Sequence, residues 1–326
     1  MNDRRNMDQV RVVCLGETML MLAPPAYETL EHSEQYVAYN GGAESNVAIG
    51  LERLGIHAGW IGKLPDNALG HKLVNQIRAQ GVDTRAVVWS PGGRVGTFFV
   101  EWGAPPRPLR TIYDRAGSAA STLEADELNW DYIAHAEWLV LTGITPALSD
   151  VCFLTTSAVA QRATQLGVKI AFDVNYRALL WDPPSARAAL AEILPSVHLL
   201  VGTESDLRLL HEDGASREEI LSRLVTSYGL DAAVMTLGSE GCLAYGGQRF
   251  LTAEAYAVQT VNRLGAGDAF LAGLLYGYLT LDLDAGLHYG MAMSALKLTI
   301  PQNIPLVRSE DVVALVAGRA AGDVLR

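Results

Sequence analysis

Leu264-Gly265-Ala266-Gly267-Asp268-Ala269-Phe270, with the apolar stretch 271–283 directly behind it, is the strongest local signal in the chain. Glycines at a helix entrance let the backbone approach an anion closely. The first-turn amides of Gly265, Ala266 and Gly267 would then point at that anion, helped by the positive end of the helix dipole. Asp268 falls within the same turn. A carboxylate among anion-binding amides is poised to take a proton from a hydroxyl while the amides hold the charge transferred to it. The combination suits phosphoryl transfer to an alcohol.

Other readings of the same residues compete. An aspartate near a helix start is often only a cap. The G-x-G resembles a dinucleotide fingerprint, but Phe270 stands where the third glycine is needed, and the segment lies late in the chain. Gly273 and Gly277 form a G-x-x-x-G, yet a run of about a dozen apolar residues is a core helix rather than a membrane dimer. A phosphate-binding P-loop is excluded, because Lys63 follows Gly62 but precedes a leucine.

Outward from this segment, short apolar, β-branched runs alternate with stretches of helical period. Residues 10–15, 58–61, 138–141, 170–174, 199–201 and 232–236 read as buried strands. Between them Leu69/Leu73/Ile77, Val151/Leu154/Ala158 and Ile220/Leu224 recur at the spacing of a helix facing a core. The alternation predicts a doubly wound α/β sheet, and no repeat of fixed period is visible. Residues 92–118 break the rhythm with two strand-like runs around a Pro-rich turn. A hairpin here cannot join a parallel sheet. It is expected to pair with an extended piece within 23–40 as a small lid over a ligand.

The 326 residues allow one large domain or two ordinary ones, at roughly 150 residues per domain. Apolar residues make up 49% and charged residues 19%, which excludes disorder and low complexity. With 25 Lys and Arg against 36 Asp and Glu, the net charge of −11 argues against nucleic acid or an anionic membrane as partner. Cys14, Cys152 and Cys242 are far apart and odd in number, as expected of ordinary thiols in a reducing cytoplasm. The histidines include no H-E-x-x-H, and no apolar run reaches the ~20 residues of a membrane helix. Arg4 and Arg5 precede the first apolar run, but Glu17 interrupts its continuation, so a first strand is expected rather than a signal peptide.

A second constellation lies early. Gly41-Gly42-Ala43-Glu44-Ser45-Asn46-Val47-Ala48 opens a helix with a glycine pair and places Asn46 on its first turn. One reading is a sugar site, with the glycine amides and the Asn46 amide facing hydroxyls; the other is a simple Gly-rich helix entrance. Taken with the late motif, this order and separation resemble the ribokinase-like (PfkB) carbohydrate kinases. Gly62-Lys63-Leu64-Pro65-Asp66-Asn67-Ala68-Leu69-Gly70, followed by Gly81-Val82-Asp83, looks like the family's first signature region. Thr236-Leu237-Gly238-Ser239-Glu240-Gly241 looks like its nucleotide-site strand and turn. The likeness runs from about residue 10 to 317. It implies a three-layer αβα sandwich with a mostly parallel central sheet and a small β-sheet lid that often mediates dimerisation. Residues 10–22, 41–91 and 119–326 would form the large domain, and 23–40 and 92–118 the lid. It also implies ATP and Mg2+, with Asp268 the catalytic base and Gly265, Ala266 and Gly267 the anion hole. Asn175, Thr236, Gly238 and Gly241 would contact the nucleotide.

The substrate is indicated by smaller details. Ribose and hexulose members carry an aspartate in the first strand region, where this chain has Met21. Tyr113-Asp114-Arg115-Ala116-Gly117-Ser118-Ala119 and Phe172-Asp173-Val174-Asn175-Tyr176-Arg177 instead look like the subgroup that phosphorylates 2-keto-3-deoxygluconate. Trp181 and the stretch 295–301 fit it too. A sugar acid carries a carboxylate, and guanidinium groups pair well with carboxylates. Arg115 from the lid and Arg177 from a strand end would converge on one cleft; otherwise Arg115 is solvated and Arg177 pairs with Asp173 or Asp182. Tyr113 joins them as a substrate contact, and Phe98 stands where relatives place a sugar-contacting tyrosine.

Two departures from the family pattern matter. Asn262 replaces an aspartate associated with a monovalent-cation site, so potassium activation is not expected. The Asn-x-x-Glu motif for magnesium and phosphate aligns with Thr203-Glu204-Ser205-Asp206, leaving Glu204 and Asp206 as contacts to magnesium-bound water. The resulting expectation is an ATP-dependent kinase acting on the primary hydroxyl of 2-keto-3-deoxygluconate or a similar acid, a cytoplasmic homodimer joined through the lid. The alternatives are a fructokinase-like kinase of a neutral ketose and a silent sugar- or nucleotide-binding protein.

Overall fold

The structure, a computed structural model, describes residues 9–318 except 26–27, 104–105 and 212–213. Arg4, Arg5 and part of the Pro-rich turn therefore lie outside the described residues. In chain order the elements are β1 (Val12–Leu15), β2 (Met19–Ala23), β3 (Val37–Gly41), α1 (Ala43–Arg53), β4 (Ala58–Ile61), β5 (Lys63–Pro65), α2 (Ala68–Arg78), β6 (Val88–Ser90), β7 (Thr97–Glu101) and β8 (Arg110–Asp114). Next come α3 (Trp130–Ala134), β9 (Trp138–Thr142), α4 (Asp150–Gln165), β10 (Lys169–Asp173), α5 (Pro183–Ile193), β11 (Leu199–Thr203), α6 (Glu204–Leu209) and α7 (Arg217–Tyr228). The chain closes with β12 (Ala232–Thr236), β13 (Cys242–Gly246), β14 (Arg249–Ala253), α8 (Ala266–Thr280), α9 (Leu283–Leu298) and α10 (Ser309–Val316).

The apolar runs become β1, β4, β9, β10, β11 and β12 of an eight-stranded sheet ordered β14-β13-β12-β11-β10-β9-β1-β4. From β12 to β4 every neighbour is parallel. Side chains alternate across the pleat. Val12, Cys14, Val140, Ala171, Val201 and Val234 pack on one face with α1, α2, α8 and α9. Val13, Leu15, Leu139, Phe172, Leu200 and Met235 pack on the other with α3, α4, α5 and α7. Both faces are dry, which is why these strands are unbroken apolar runs. The sheet also continues into an antiparallel hairpin, β13–β14, that hydropathy patterning does not reveal. Gly247 and Gln248 both take positive φ, 56° and 62°, at its two-residue turn, the geometry that suits the twist of a hairpin.

A second sheet is ordered β3-β2-β7-β8. β7 and β8 form the expected antiparallel hairpin, but its direct partner is β2, parallel to β7. Residues 19–22, expected in the large domain, are therefore hydrogen-bonded into the small sheet. They continue the apolar character of β1, and only Gly16, Glu17 and Thr18 separate the two strands.

Helix α4 corrects another expectation. Leu154 is 65% exposed and Val151 38%, and Ala158 also faces solvent, while Cys152, Thr155, Thr156, Val159 and Ala160 face the core. Two threonines can be buried there because Thr155 donates to the Leu123 carbonyl at 2.8 Å and Thr156 to the Cys152 carbonyl at 2.7 Å. Hydropathy spacing alone selects the wrong face. The G-x-x-x-G of α8 does mark a helix contact, within one chain. A Cβ on Gly273 would lie 2.4 Å from the Tyr289 carbonyl oxygen, and one on Gly277 2.6 Å from the Gly286 nitrogen. All three cysteines are buried and free. Among the described residues no helix is long and apolar enough to cross a membrane.

Candidate active site

The small sheet, the carboxyl ends of β10 and β11 and the amino end of α8 surround a cavity of about 280 Å3. Gly41, Gly42, Asn46, Phe98, Tyr113, Arg115, Asn175, Arg177, Asp206, Gly265, Gly267 and Asp268 all line it. Residues spread over most of the sequence thus meet at one place, the carboxyl edge where parallel α/β sheets bind ligands.

At the floor, α8 begins at Gly265 without a side-chain cap, so Asp268 is not a capping residue. Its Oδ2 accepts from the Asn46 amide at 2.7 Å. Burial raises the Asp268 carboxyl to about 6, opposed by the Asn46 hydrogen bond and by the charges of Arg177 and Lys297. Gly265 has φ +82°, and a Cβ there would lie 1.9 Å from the Asn303 carbonyl oxygen. Glycine is therefore obligatory at 265 on steric grounds. At Gly267 a Cβ would meet nothing within 4 Å; packing does not require this glycine, and a side chain would only take space from the cavity. The Ala266 amide turns back to the Arg263 carbonyl at 3.3 Å. That corrects the three-amide expectation: Gly265 and Gly267, whose amides have no partner among the described residues, are the available donors.

The early motif supplies a wall. Gly41 sits against Phe98, whose ring would be 2.7 Å from a Cβ, and Gly42 against the Glu17 carbonyl at 2.2 Å. Both glycines thus have a steric reason as well as a place in the cavity. Asn46 is turned toward Asp268, and its Oδ1 is buried without a partner among the described residues. Phe98 and Tyr113 face each other across β7–β8 and stack at 5.5 Å.

The two arginines differ. Arg115 donates its Nε to Glu17 Oε2 at 2.9 Å and its Nη2 to the same oxygen, while Ser118 donates to Glu17 Oε1 at 2.7 Å. Glu17 is almost wholly enclosed. Arg115 is therefore neither solvated nor a free charge, although its Nη1 group has no hydrogen-bond partner among the described residues. Arg177 has only the Tyr176 carbonyl, at 3.3 Å, and no carboxylate within ion-pair distance among the described residues. Asp182 caps α5 through the Ser185 amide, and Asp173 is held by the Asn175 backbone and side chain.

Carboxylates crowd the same cavity. Burial, with the nearby charges of Asp206 and Asp268, raises Asp173 to about 8, and Arg177 pulls against this. Glu44 is buried and raised to about 7 by desolvation, despite accepting from Thr142 at 2.7 Å and Thr145 at 2.9 Å. Glu204 is a correction. Its oxygens accept from Arg208 and Arg217 and it does not line the cavity, so it serves an ion-pair network and leaves Asp206 as the carboxylate of that motif facing inward. Asp206 in turn shares a capping box with Thr203. Thr236, Gly238 and Gly241 do not line the cavity. Thr236 ends β12 beside Thr203, and Gly241, at φ +97°, has the Ala253 carbonyl 2.1 Å from where a Cβ would be.

Sequence reasoning missed Glu17, Glu44, Arg263 and Asn303, all of which line the cavity. The charged letters inside apolar or glycine-rich stretches, Glu17 and Glu44, were the available signal.

A glycine-entered helix carrying a buried carboxylate, facing a β lid across the carboxyl edge of a parallel sheet, is the architecture of a carbohydrate phosphotransferase. Residues 9–306 match the pfkB family carbohydrate kinases, and the chain belongs to that family. It is 37% identical over 312 residues to the 2-dehydro-3-deoxygalactonokinase of Haloferax volcanii, covering 95% of this chain and 98% of that one. It is 30% identical over 292 residues to the 5-dehydro-2-deoxygluconokinase of Bacillus subtilis, covering 87% and 89%. The crystal structure of the 2-dehydro-3-deoxygluconokinase of Thermotoga maritima superposes with a TM-score of 0.89 at 30% identity, over 95% of this chain and 99% of that one.

Proposed function

We propose that this carbohydrate kinase transfers the γ-phosphoryl group of ATP to the primary hydroxyl of a keto-deoxy sugar acid of the 2-keto-3-deoxygluconate type. The observation that carries the acid is Arg177, a guanidinium facing the same cavity as Asp268 and free of any carboxylate within ion-pair distance among the described residues. Arg115, its charge balanced by Glu17, contributes directional N–H donors from Nη1. The Haloferax, Bacillus and Thermotoga relatives act on sugar acids by their names, which supports the same reading.

Asp268 accepts the proton of the attacking hydroxyl, with Asn46 fixing one of its oxygens. The Gly265 and Gly267 amides face the charge that develops on the transferred group. Phe98, Tyr113 and Met19 bring the lid over the sugar and exclude water. Among the described residues no three His, Cys, Asp or Glu side chains enclose a metal. The hard oxygens of Asp206 and Thr203 nevertheless fit a hydrated magnesium ion, which keeps most of its waters and leans on nucleotide phosphates. Bound there, magnesium would neutralise phosphate charge. Asn175, Thr236, Gly238 and Gly241 are assigned to the nucleotide. Neutral Asn262 is hydrogen-bonded to Pro301 and Leu264, in keeping with activity that needs no potassium. Exposed Val37 and Ile112 on the small sheet support a homodimer through the lid, and the free thiols suit a reducing cytoplasm.

The test is ADP release with ATP and Mg2+ against 2-keto-3-deoxygluconate, its galactonate epimer, 5-dehydro-2-deoxygluconate, fructose and ribose. The acids are expected to lead, and Arg177→Ala to raise KM for them about 10–100-fold with little effect on a neutral ketose. Preference for fructose would move the arginines to structural roles, and no turnover with any sugar would favour a binding protein.

A further inference from the structure

Lys297, near the end of α9, is wholly enclosed. A buried ammonium normally has a carboxylate beside it, because desolvation of an unpaired charge is costly. Here its Nζ donates to the Asn262 carbonyl at 3.1 Å and reaches the Ile300 carbonyl at 3.5 Å. No carboxylate is within ion-pair distance among the described residues. The charge sits under the entrance to α8, since a Cβ on Gly265 would touch the Lys297 stem at 3.4 Å. The segment it joins is stitched on both sides. Val261 donates to Leu298, the Asn262 side chain to Pro301, and the Leu264 amide to the Asn262 side chain. Asn303, whose carbonyl crowds Gly265, also accepts from Asn46 at 3.4 Å.

We infer that Lys297 is a positioning residue for the phosphoryl-transfer base: a resident positive charge beneath the glycine turn that keeps Asp268 ionised and steadies the two amides. The inference rests on the assignment of Asp268 as base. Burial lowers the Lys297 ammonium to about 8, and Asp268 works against that lowering, so the group is mostly charged at neutral pH. The other charged groups facing Asp268 are Arg177 after β10, Asp173 at the end of β10 and Glu44 on α1. Two of these three are acids. Among the described residues, without Lys297 the Asn46 hydrogen bond and Arg177 would be left to offset them, and Arg177 is assigned to substrate.

The experiment compares wild type, Lys297→Met, Lys297→Gln and Asp268→Asn by ADP release with 2-keto-3-deoxygluconate from pH 5.5 to 9, alongside thermal melting. Gln keeps hydrogen-bond donors without the charge; Met keeps only the shape. Both are expected to fold, to lose about tenfold or more in kcat at pH 7, to keep KM for the sugar within about twofold, and to shift the acid limb of the profile upward by about one unit. A Gln variant with wild-type kcat, or an unmoved acid limb in both variants, overturns the inference. So does failure of both to fold, which would make the ammonium a requirement of the fold. Asp268→Asn at the wild-type rate would refute the base assignment itself; an inactive Asp268→Asn beside fully active Lys297 variants would refute only the role of Lys297.

Discussion

The Asn46 amide donates to the Asp268 carboxylate at 2.7 Å across 222 residues of chain. That bond ties the early glycine motif to the late one. It occupies Oδ2, so under the proposed function Oδ1 is the oxygen left to take the proton of the attacking hydroxyl.

Asp268→Asn is expected to lower kcat by about 10²–10⁴ while sugar affinity, measured by calorimetry, changes little. The wild-type profile should report the same group. A base must be ionised, and its carboxyl lies near 6, so kcat should fall about tenfold per unit below that pH, be level between about 6 and 8, and decline again as Lys297 loses its proton near 8.

The two glycines of the turn should separate under substitution. Gly265→Ala meets the Asn303 carbonyl oxygen at 1.9 Å with φ +82° and should lose stability, by more than the ~1 kcal/mol typical of a positive-φ glycine. Gly267→Ala keeps its amide and, in open space, should melt at or above the wild-type temperature, yet its methyl takes room from the cavity and should misplace the transferred group, lowering kcat about 10²-fold. Normal turnover in Gly267→Ala would show that the transferred group does not use the space beside Gly267.

Glu17→Gln strands the Arg115 guanidinium in an enclosed site. Breaking such a pair from one side costs about 3–5 kcal/mol, to be read by denaturant unfolding. Adding Arg115→Met should recover much of the loss in stability without restoring the sugar KM.

Glu44 sets a pH dependence of stability. Its folded carboxyl is raised to about 7 from 4.5, so between those values the folded state holds more protons than the unfolded one. Stability therefore falls as pH rises through that window and stays low above it. Glu44→Gln should melt higher than wild type at pH 8 and about equal to it at pH 4.5. An equal difference at both would show that Glu44 does not titrate there.

Much of this was legible in the sequence for one reason: strands buried on both faces need unbroken apolar runs, and Ala58–Ile61 and Ala232–Thr236 match to the residue. The glycine turn was legible because few residue types tolerate its backbone. What stayed hidden depends on partners far away. Glu17 is neutralised by Arg115, 98 residues later, and Glu44 is held by hydroxyls of Thr142 and Thr145; read locally, each is a charge expected in water. The face of α4 was hidden differently, since Thr155 and Thr156 satisfy their hydroxyls on backbone carbonyls and so count as core. Lys297 is the extreme case, a cation whose partners are carbonyls that no letter of the sequence records.

The order of elements along the chain has a consequence for biosynthesis. All the strands precede α8, yet α8 and α9 cover the sheet face that carries Val12, Val140 and Val234. A chain emerging from the ribosome shows that apolar face until its final helices arrive, when it is most in need of a chaperone. Those helices also bring Asp268 and the glycine turn. Protection from aggregation and the capacity to consume ATP therefore begin together, and a prematurely terminated chain has neither.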